Sequence, residues 1–399
     1  MLKTLTHYEK QHGKQIKLRR EINVLIAGGS KLSTLDLFSG CGAMNLGLHE
    51  FCKTVAYAES NKECREVLKK NMKRGYLHKA KIYNDVRDLI GKNLKVDLIA
   101  GGFPCQDISG AGKQRGLKGK HSSLLLVVLK LVKKMKPRHV FLENVANIVN
   151  MPSVWKRLLK DLNTFGYNAR WCIISAASLG APHMRRRWFL LATKRRKNIQ
   201  KQQLPTFLKK KWNQHWRYSG SEPKVDRMLK NDDNYARRRL RMLGNACTPQ
   251  QANVAFRVLT NFDTLGLEEV QKKKKQMPQW GSMTNGKIQA YKKWEKIPKP
   301  RKFSIVLRSR KAVKTNQKLA ARVKGTVRLK RWSTPRASMG LSSTGKSSGI
   351  ANNLTVRSIR DLQTQVRFEK RTKNGYNSKL VNPAFVEFLM GIPRGFTKY

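Results

Sequence analysis

The residue types able to do chemistry in this 399-residue chain gather at five places, each beside an apolar run. Phe103-Pro104-Cys105-Gln106 follows Val96–Ala100. Pro104 fixes its own φ and restricts the residue before it, so the loop is stiff and can present the Cys105 thiol to a pocket. A thiolate is a soft nucleophile suited to addition to an electron-poor ring. A single Cys serves equally as a small buried hydrophobe. Glu143-Asn144-Val145 ends the run that starts at His139. A carboxyl shielded from water can stay protonated and donate to a ring nitrogen; a helix cap or a surface acid is the plainer use. Asp36-Leu37-Phe38-Ser39-Gly40-Cys41-Gly42 is a glycine turn whose backbone can approach a ligand ahead of a helix N-terminus, or is simply a tight turn. Glu59 and Asp85 end the next two strands, where carboxylates can hold ribose hydroxyls and an adenine amino group. Arg185 and Arg187 share one face of an extended segment and can bond a base edge or phosphates. Gly244-Asn245-Ala246 precedes Pro249, which suits the first turn of a helix.

These groups need a scaffold that brings strand ends together. Residues 34–193 alternate short apolar runs with amphipathic stretches. We read strands at 34–38, 54–58, 81–84, 96–100, 139–142, 168–175 and 187–193. The helices read between them run to about Phe51, then over 61–74, 122–134 and 154–165. This alternation predicts an α/β fold with a doubly wound, mostly parallel, Rossmann-like sheet. Ligands of such sheets sit beyond the carboxyl ends of the strands, where the five segments fall. Residues 194–211 turn basic and patternless, as a surface loop does. Lys272–Lys275 is a charge run that marks a boundary. We divide the chain into a basic extension over 1–32, a catalytic domain over 33–262 and a smaller basic domain over 263–399.

Composition narrows the function. Lys and Arg number 84 against 24 Asp and Glu, a formal net charge of +60, which repels itself unless a polyanion is near. Nucleic acid is the expected partner. Hydrophobic residues make up 40% of the chain, enough for a sizeable core, so a disordered chain is excluded. No apolar run reaches the ~18 residues of a membrane span, and Met1–Arg20 lacks the apolar stretch of a signal peptide. An intracellular protein, located with its nucleic-acid partner, is expected. The six cysteines include no CxxC pair, which argues against a structural zinc site, and no metal is expected.

Taken jointly and in this order, the five segments resemble the DNA cytosine C5-methyltransferase family. Asp36–Gly42 is similar to its cofactor turn, and Gly102–Gln106 with Ser109 and Gly112 to its catalytic loop. Glu143-Asn144-Val145 is similar to its Glu-Asn-Val signature, Arg185 and Arg187 to its Arg-x-Arg pair, and Gly244-Asn245 with Pro249 to its last motif. The resemblance implies the S-adenosylmethionine-dependent methyltransferase fold and transfer of a methyl group to carbon 5 of a cytosine swung out of duplex DNA. Cys105 then adds to C6, protonated Glu143 holds N3, and Arg187 with Arg185 holds O2. The cofactor residues implied are Asp36, Phe38, Ser39, Gly40, Gly42, Glu59, Asp85, Pro104, Asn245 and Ala246. S-adenosyl-L-methionine is the cofactor, double-stranded DNA the partner, and a monomer the expected state.

The chain departs from the family at Ala43, where a third glycine is common, at His183, where Gln is common, and at His121, where Arg is common. Residues 194–240 give only a short insert where a recognition region is usual. Segments around Trp280-Gly281, Trp332-Ser333 and Asn382-Pro383 resemble pieces of that region in phage-type members, moved behind the final motif. A remnant of a second methyltransferase gene is the alternative. A non-catalytic DNA-packaging protein and an RNA cytosine methyltransferase on the same fold are the rival functions.

Overall fold

The computed structural model describes residues 31–104, 122–181, 183–195, 234–265, 267–271, 277–292 and 381–399, and the backbone of two further strands. The first half alternates as expected: β1 (Leu32–Leu37), α1 (Ala43–Leu48), β2 (Cys52–Ala58), α2 (Lys62–Lys73), β3 (Lys81–Tyr83), β4 (Leu98–Gly102), α3 (Ser122–Met135), β5 (His139–Val145), α4 (Pro152–Thr164), β6 (Tyr167–Ser175) and β7 (Arg186–Lys194). Two helices follow, α5 (Asn234–Asn245) and α6 (Pro249–Thr260), then β8 (Glu269–Val270), β9 (Gly281–Thr284) and β10 (Lys287–Tyr291). A separate antiparallel pair, β11 (Phe303–Leu307) and β12 (Gly325–Leu329), precedes α7 (Pro383–Leu389).

Ten strands form one mixed sheet in the order β3-β2-β1-β4-β5-β7-β6-β9-β10-β8. The five strands β1 to β5 are parallel. The chain leaves β1 towards β2 and β3, then crosses back to β4 and β5, so the order reverses between β1 and β4. That reversal opens a crevice at their carboxyl ends. β7 runs antiparallel to both β5 and β6. Residues 176–185 joining β6 to β7 are too few for a helical crossover, which takes a dozen or more residues, so the strand must turn back.

Side chains alternate across the sheet into two cores. Val140, Leu142, Leu190 and Ile173 pack under α3 and α4, with Val154, Leu158 and Leu162 from the apolar stripe of α4. Phe141, Phe189, Leu191 and Cys172 face the other way, under α6. Gly47 of α1 lies against α6 so closely that a Cβ would stand 2.2 Å from the Pro249 carbonyl oxygen.

The boundary placed at 262/263 is not a boundary of this sheet. β9 pairs with β6, and Asn285 and Gly286, both at positive φ, turn the chain into β10. Two left-handed residues give the twist a tight hairpin needs. Gly281 is required by contact, since a Cβ there would meet the Trp171 ring at 2.4 Å. The chain end also belongs to the body. Phe385, Val386, Leu389 and Phe396 pack with Val67 and Leu68 of α2 and Leu240 and Leu243 of α5 in a third core. The segment around Trp332 lies outside the described residues.

Candidate active site

A cavity of about 470 Å³ opens where β1, β2, β4 and β5 end. Small-molecule sites usually span roughly 300–1,000 Å³. Phe38, Ser39 and Gly40 line it from the turn after β1, Glu59 from the end of β2, Gly102 and Pro104 from β4, Glu143 from β5, and Arg187 from β7. Asn245 and Ala246 complete the wall from the end of α5.

The turn after β1 uses positive φ at Phe38, Gly40 and Gly42, a path that favours glycine. Gly42 is the left-handed residue before α1 and does not line the cavity. The Gly40 amide donates to Glu59 Oε2 at 2.7 Å, and the Asn61 amide to Oε1 at 2.8 Å. Those two bonds hold the Glu59 carboxylate against the turn and leave acceptor capacity on both oxygens.

Glu143 is 9% exposed and receives a bond from Arg187 Nε at 2.9 Å. Burial pushes its carboxyl above the ordinary range, against the opposing pull of Arg187 and Arg185. Register explains the space it occupies. Gly102 is its direct partner in the parallel β4–β5 pair, and a Cβ on Gly102 would stand 2.8 Å from Glu143 Oε2. The next residue, Asn144, is buried and donates to the Phe103 carbonyl at 3.2 Å. One Glu-Asn pair therefore supplies both a carboxyl in the cavity and an anchor for the strand end that leads into Pro104. Cys105 itself lies outside the described residues, as do Ser109, Gly112 and His121.

Besides Gly42, three expected residues stand apart from the cavity lining. Arg185 is 1% exposed, and its Nη2 donates to the Gly244 carbonyl at 2.9 Å and to that of Ala246. Expected to reach a base edge, it instead braces the wall that carries Asn245. Asp85 caps the short 3-10 turn Val86–Leu89, accepting from the Arg87 amide and pairing with its guanidinium at 2.8 Å. Asp36 is 1% exposed, and among the described residues its two carboxylate oxygens find no hydrogen-bond partner, the Ser39 hydroxyl bonding its main-chain oxygen instead. Burial pushes the Asp36 carboxyl up to about 7, and the charge of Glu59 adds to the rise.

Pro249 opens α6, and Thr248 and Gln251 form its capping box. Gln251 Nε2 also donates to the Ile174 and Arg185 carbonyls at 2.8 and 2.6 Å, tying this helix start to β6 and to the Arg185 strand.

The sequence reading missed α5, whose Arg238, Arg241 and Met242 also line the cavity. Its signal was Ala236, Leu240 and Leu243 at helical spacing, hidden among arginines.

The α/β fold is the one the sequence called for, and the chain matches the family model described as C-5 cytosine-specific DNA methylase over residues 32–378. The chain belongs to this family. It is a DNA cytosine-5-methyltransferase, and DNA is its substrate. The methylase is 27% identical over 385 residues to Type II methyltransferase M.CviJI of Paramecium bursaria Chlorella virus IL3A, covering 92% of this chain and 98% of that protein. It is 31% identical over 189 residues to M.Sau3AI of Staphylococcus aureus, covering 43% and 46% of the two chains. With M.HhaI of Haemophilus parahaemolyticus it shares 29% over 181 residues, covering 44% and 53%. The likeness to the bacterial proteins thus spans about half of each, whereas the viral one is matched nearly end to end. Among the described residues of the methylase, no helix is long and apolar enough to cross a membrane.

Proposed function

We propose that the methylase takes its methyl group from S-adenosylmethionine and activates cytosine through a covalent bond from Cys105 to C6. The observation that carries this is one cavity holding the Gly40–Glu59 turn, the buried Glu143–Arg187 pair and Pro104, the residue before Cys105. The donor set fits the cofactor: Glu59 offers acceptors to ribose hydroxyls, Phe38 an aromatic face, and Asn245 an amide. When bound, the cofactor supplies an electrophilic methyl group.

Neutral cytosine is a poor nucleophile at C5. Addition of the Cys105 thiolate to C6 pushes the ring electrons towards N3 and C5. Glu143, whose pKa burial raises, donates to N3 from its protonated form as that charge develops. Arg187, paired with Glu143, binds O2 of the ring. After C5 has gained its substituent, a base removes the C5 proton and the C6–sulfur bond breaks, restoring the thiolate. A preformed, largely buried carboxyl serves this step better than an exposed one, because its bond to the ring is strongest where charge appears.

The near full-length likeness to a viral type II methyltransferase supports a role in modification of DNA within a restriction–modification setting. Two segments of the tail are fixed in the body of the enzyme, so we assign the reading of bases to the basic stretch between them, residues 293–380. Phosphate contacts carry most of the affinity, and binding falls steeply with salt.

Trapping tests the chemistry. DNA carrying 5-fluorocytosine cannot lose its C5 substituent, so the intact enzyme with S-adenosylmethionine should form a stable protein–DNA adduct. Cys105→Ser should form none. Failure of the intact enzyme to give any adduct on DNA of varied sequence would refute the covalent route.

A further inference from the structure

Helix α5 has two working faces. Arg239, Leu240 and Leu243 are buried, and Arg239 pairs with Glu387 of α7 at 2.8 Å. Arg238, Arg241, Met242 and Asn245, spaced for one side of a helix, line the cavity. The tail helix therefore holds α5 by one face and leaves the other against the ligand space.

The cavity's charges balance in number but are not all paired. Its carboxylates are Glu59, Glu63 and Glu143, and its cations are Arg187, Arg238 and Arg241. Arg187 is paired with Glu143 at 2.9 Å. Arg238 lies 3.9 Å from Glu63 and bonds the Tyr399 hydroxyl at 2.6 Å. Glu59 is held by two backbone amides. Among the described residues, Arg241 alone of these cations has no acceptor. It stands one helical turn before Asn245, on the same side of the helix.

S-adenosylmethionine carries a sulfonium, an ammonium and one anion, its α-carboxylate. The cavity's carboxylates suit the cations and the ribose hydroxyls. The α-carboxylate needs a cation, and a guanidinium matches its two oxygens with paired N–H bonds. We propose that Arg241 binds the α-carboxylate of the methyl donor and so makes the enzyme select the intact amino-acid moiety. This rests on the reading of the cavity as the cofactor site. Arg241 is exposed to solvent, which holds the expected effect near tenfold rather than a hundredfold.

The test is calorimetric binding of S-adenosylmethionine and of decarboxylated S-adenosylmethionine to the full chain and to Arg241→Ala and Arg241→Lys. The wild type should prefer the intact ligand about tenfold. Arg241→Ala should bind it about tenfold more weakly, bind the decarboxylated ligand unchanged, and so lose the preference. Arg241→Lys, which keeps the charge, should retain most of it. Equal weakening of both ligands, or a wild type that does not distinguish them, overturns the assignment. Unchanged ligand binding with weaker DNA binding, and a salt slope reduced by about one, overturns it in favour of a phosphate contact. A wild type that binds neither ligand refutes the cofactor reading itself, a result separable from loss in the variant alone.

Discussion

Gly102→Ala tests whether Glu143 works from the position that the β4–β5 register gives it. The new Cβ would stand 2.8 Å from Glu143 Oε2, so the carboxyl must move by about 0.6 Å to reach ordinary contact near 3.4 Å. The backbone has no reason to resist, since Gly102 is not at positive φ. Nor can the carboxyl swing freely, because its other oxygen is held by Arg187 at 2.9 Å. Catalytic groups tolerate displacements of about 0.5 Å, and an ångström costs on the order of a hundredfold. We expect kcat to fall roughly 10- to 100-fold while Tm stays within a few degrees. Transfer of labelled methyl groups to DNA gives the rate, and thermal unfolding gives Tm. The decisive measurement is a double-mutant cycle: in Glu143→Gln, where the carboxyl chemistry is already gone, Gly102→Ala should change the residual rate little. Activity within twofold of wild type would refute the argument. So would a loss that is simply additive with Glu143→Gln.

Three further outcomes follow from buried charges. Asp36 has a folded-state pKa of about 7 against an ordinary 3.8, so its contribution to stability is present below pH 4 and is lost as pH rises towards 7, by an order of about 4 kcal/mol. Asp36→Asn should remove that slope, and a Tm difference between the two proteins that is flat from pH 4 to 7 would count against it. Glu387 takes bonds from Arg239, the Gly395 and Thr397 amides and the Thr397 hydroxyl at 2.6–2.9 Å. Glu387→Gln should cost about 3–5 kcal/mol, seen in denaturant unfolding, by leaving Arg239 buried without its partner, and adding Arg239→Met should recover much of the loss. Burial raises the pKa of Glu143, and in the proposed mechanism its protonated form donates to N3, so kcat should fall as pH rises through its titration; a residual Glu143→Gln rate with the same profile would assign the slope to another group.

The parallel half of the fold was legible because its signals are local. Each strand of the βα alternation is a short apolar run with a turn behind it, and observed bounds such as Lys62–Lys73 and Ser122–Met135 fall within a residue of those read from the sequence. Glu143 and Glu59 could be placed together because strand order alone brings carboxyl ends to one edge. What escaped depends on distant partners. The apolar face of α5 is interrupted by arginines, and its partners Phe385 and Leu389 lie more than 140 residues away. Thr284-Asn285-Gly286-Lys287 carries a strong hairpin signal, yet nothing in it says that β9 will pair with β6 across more than 100 residues. Nor did the Arg-x-Arg spacing separate its members: Arg187 meets Glu143, while Arg185, two residues earlier, bonds carbonyls of the Gly244 turn.

That last difference explains how one basic pair serves both structure and chemistry. A guanidinium buried at 1% exposure needs acceptors that are always present, and the carbonyls at the end of α5 provide them. The adjacent His183 bonds the Leu389 carbonyl at 2.6 Å, so the same short segment also touches the tail helix. Arg185 and His183 thus fix α5 and α7 relative to β7, and Arg187 is left to work in the cavity. Each of the cavity's walls is then tied to another: Glu59 to the Gly40 turn, Asn144 to Phe103, Gln251 to β6 and Arg185. On the proposed function, a base and a cofactor entering this space meet groups whose positions are already set, so that little of their binding energy goes into ordering the protein.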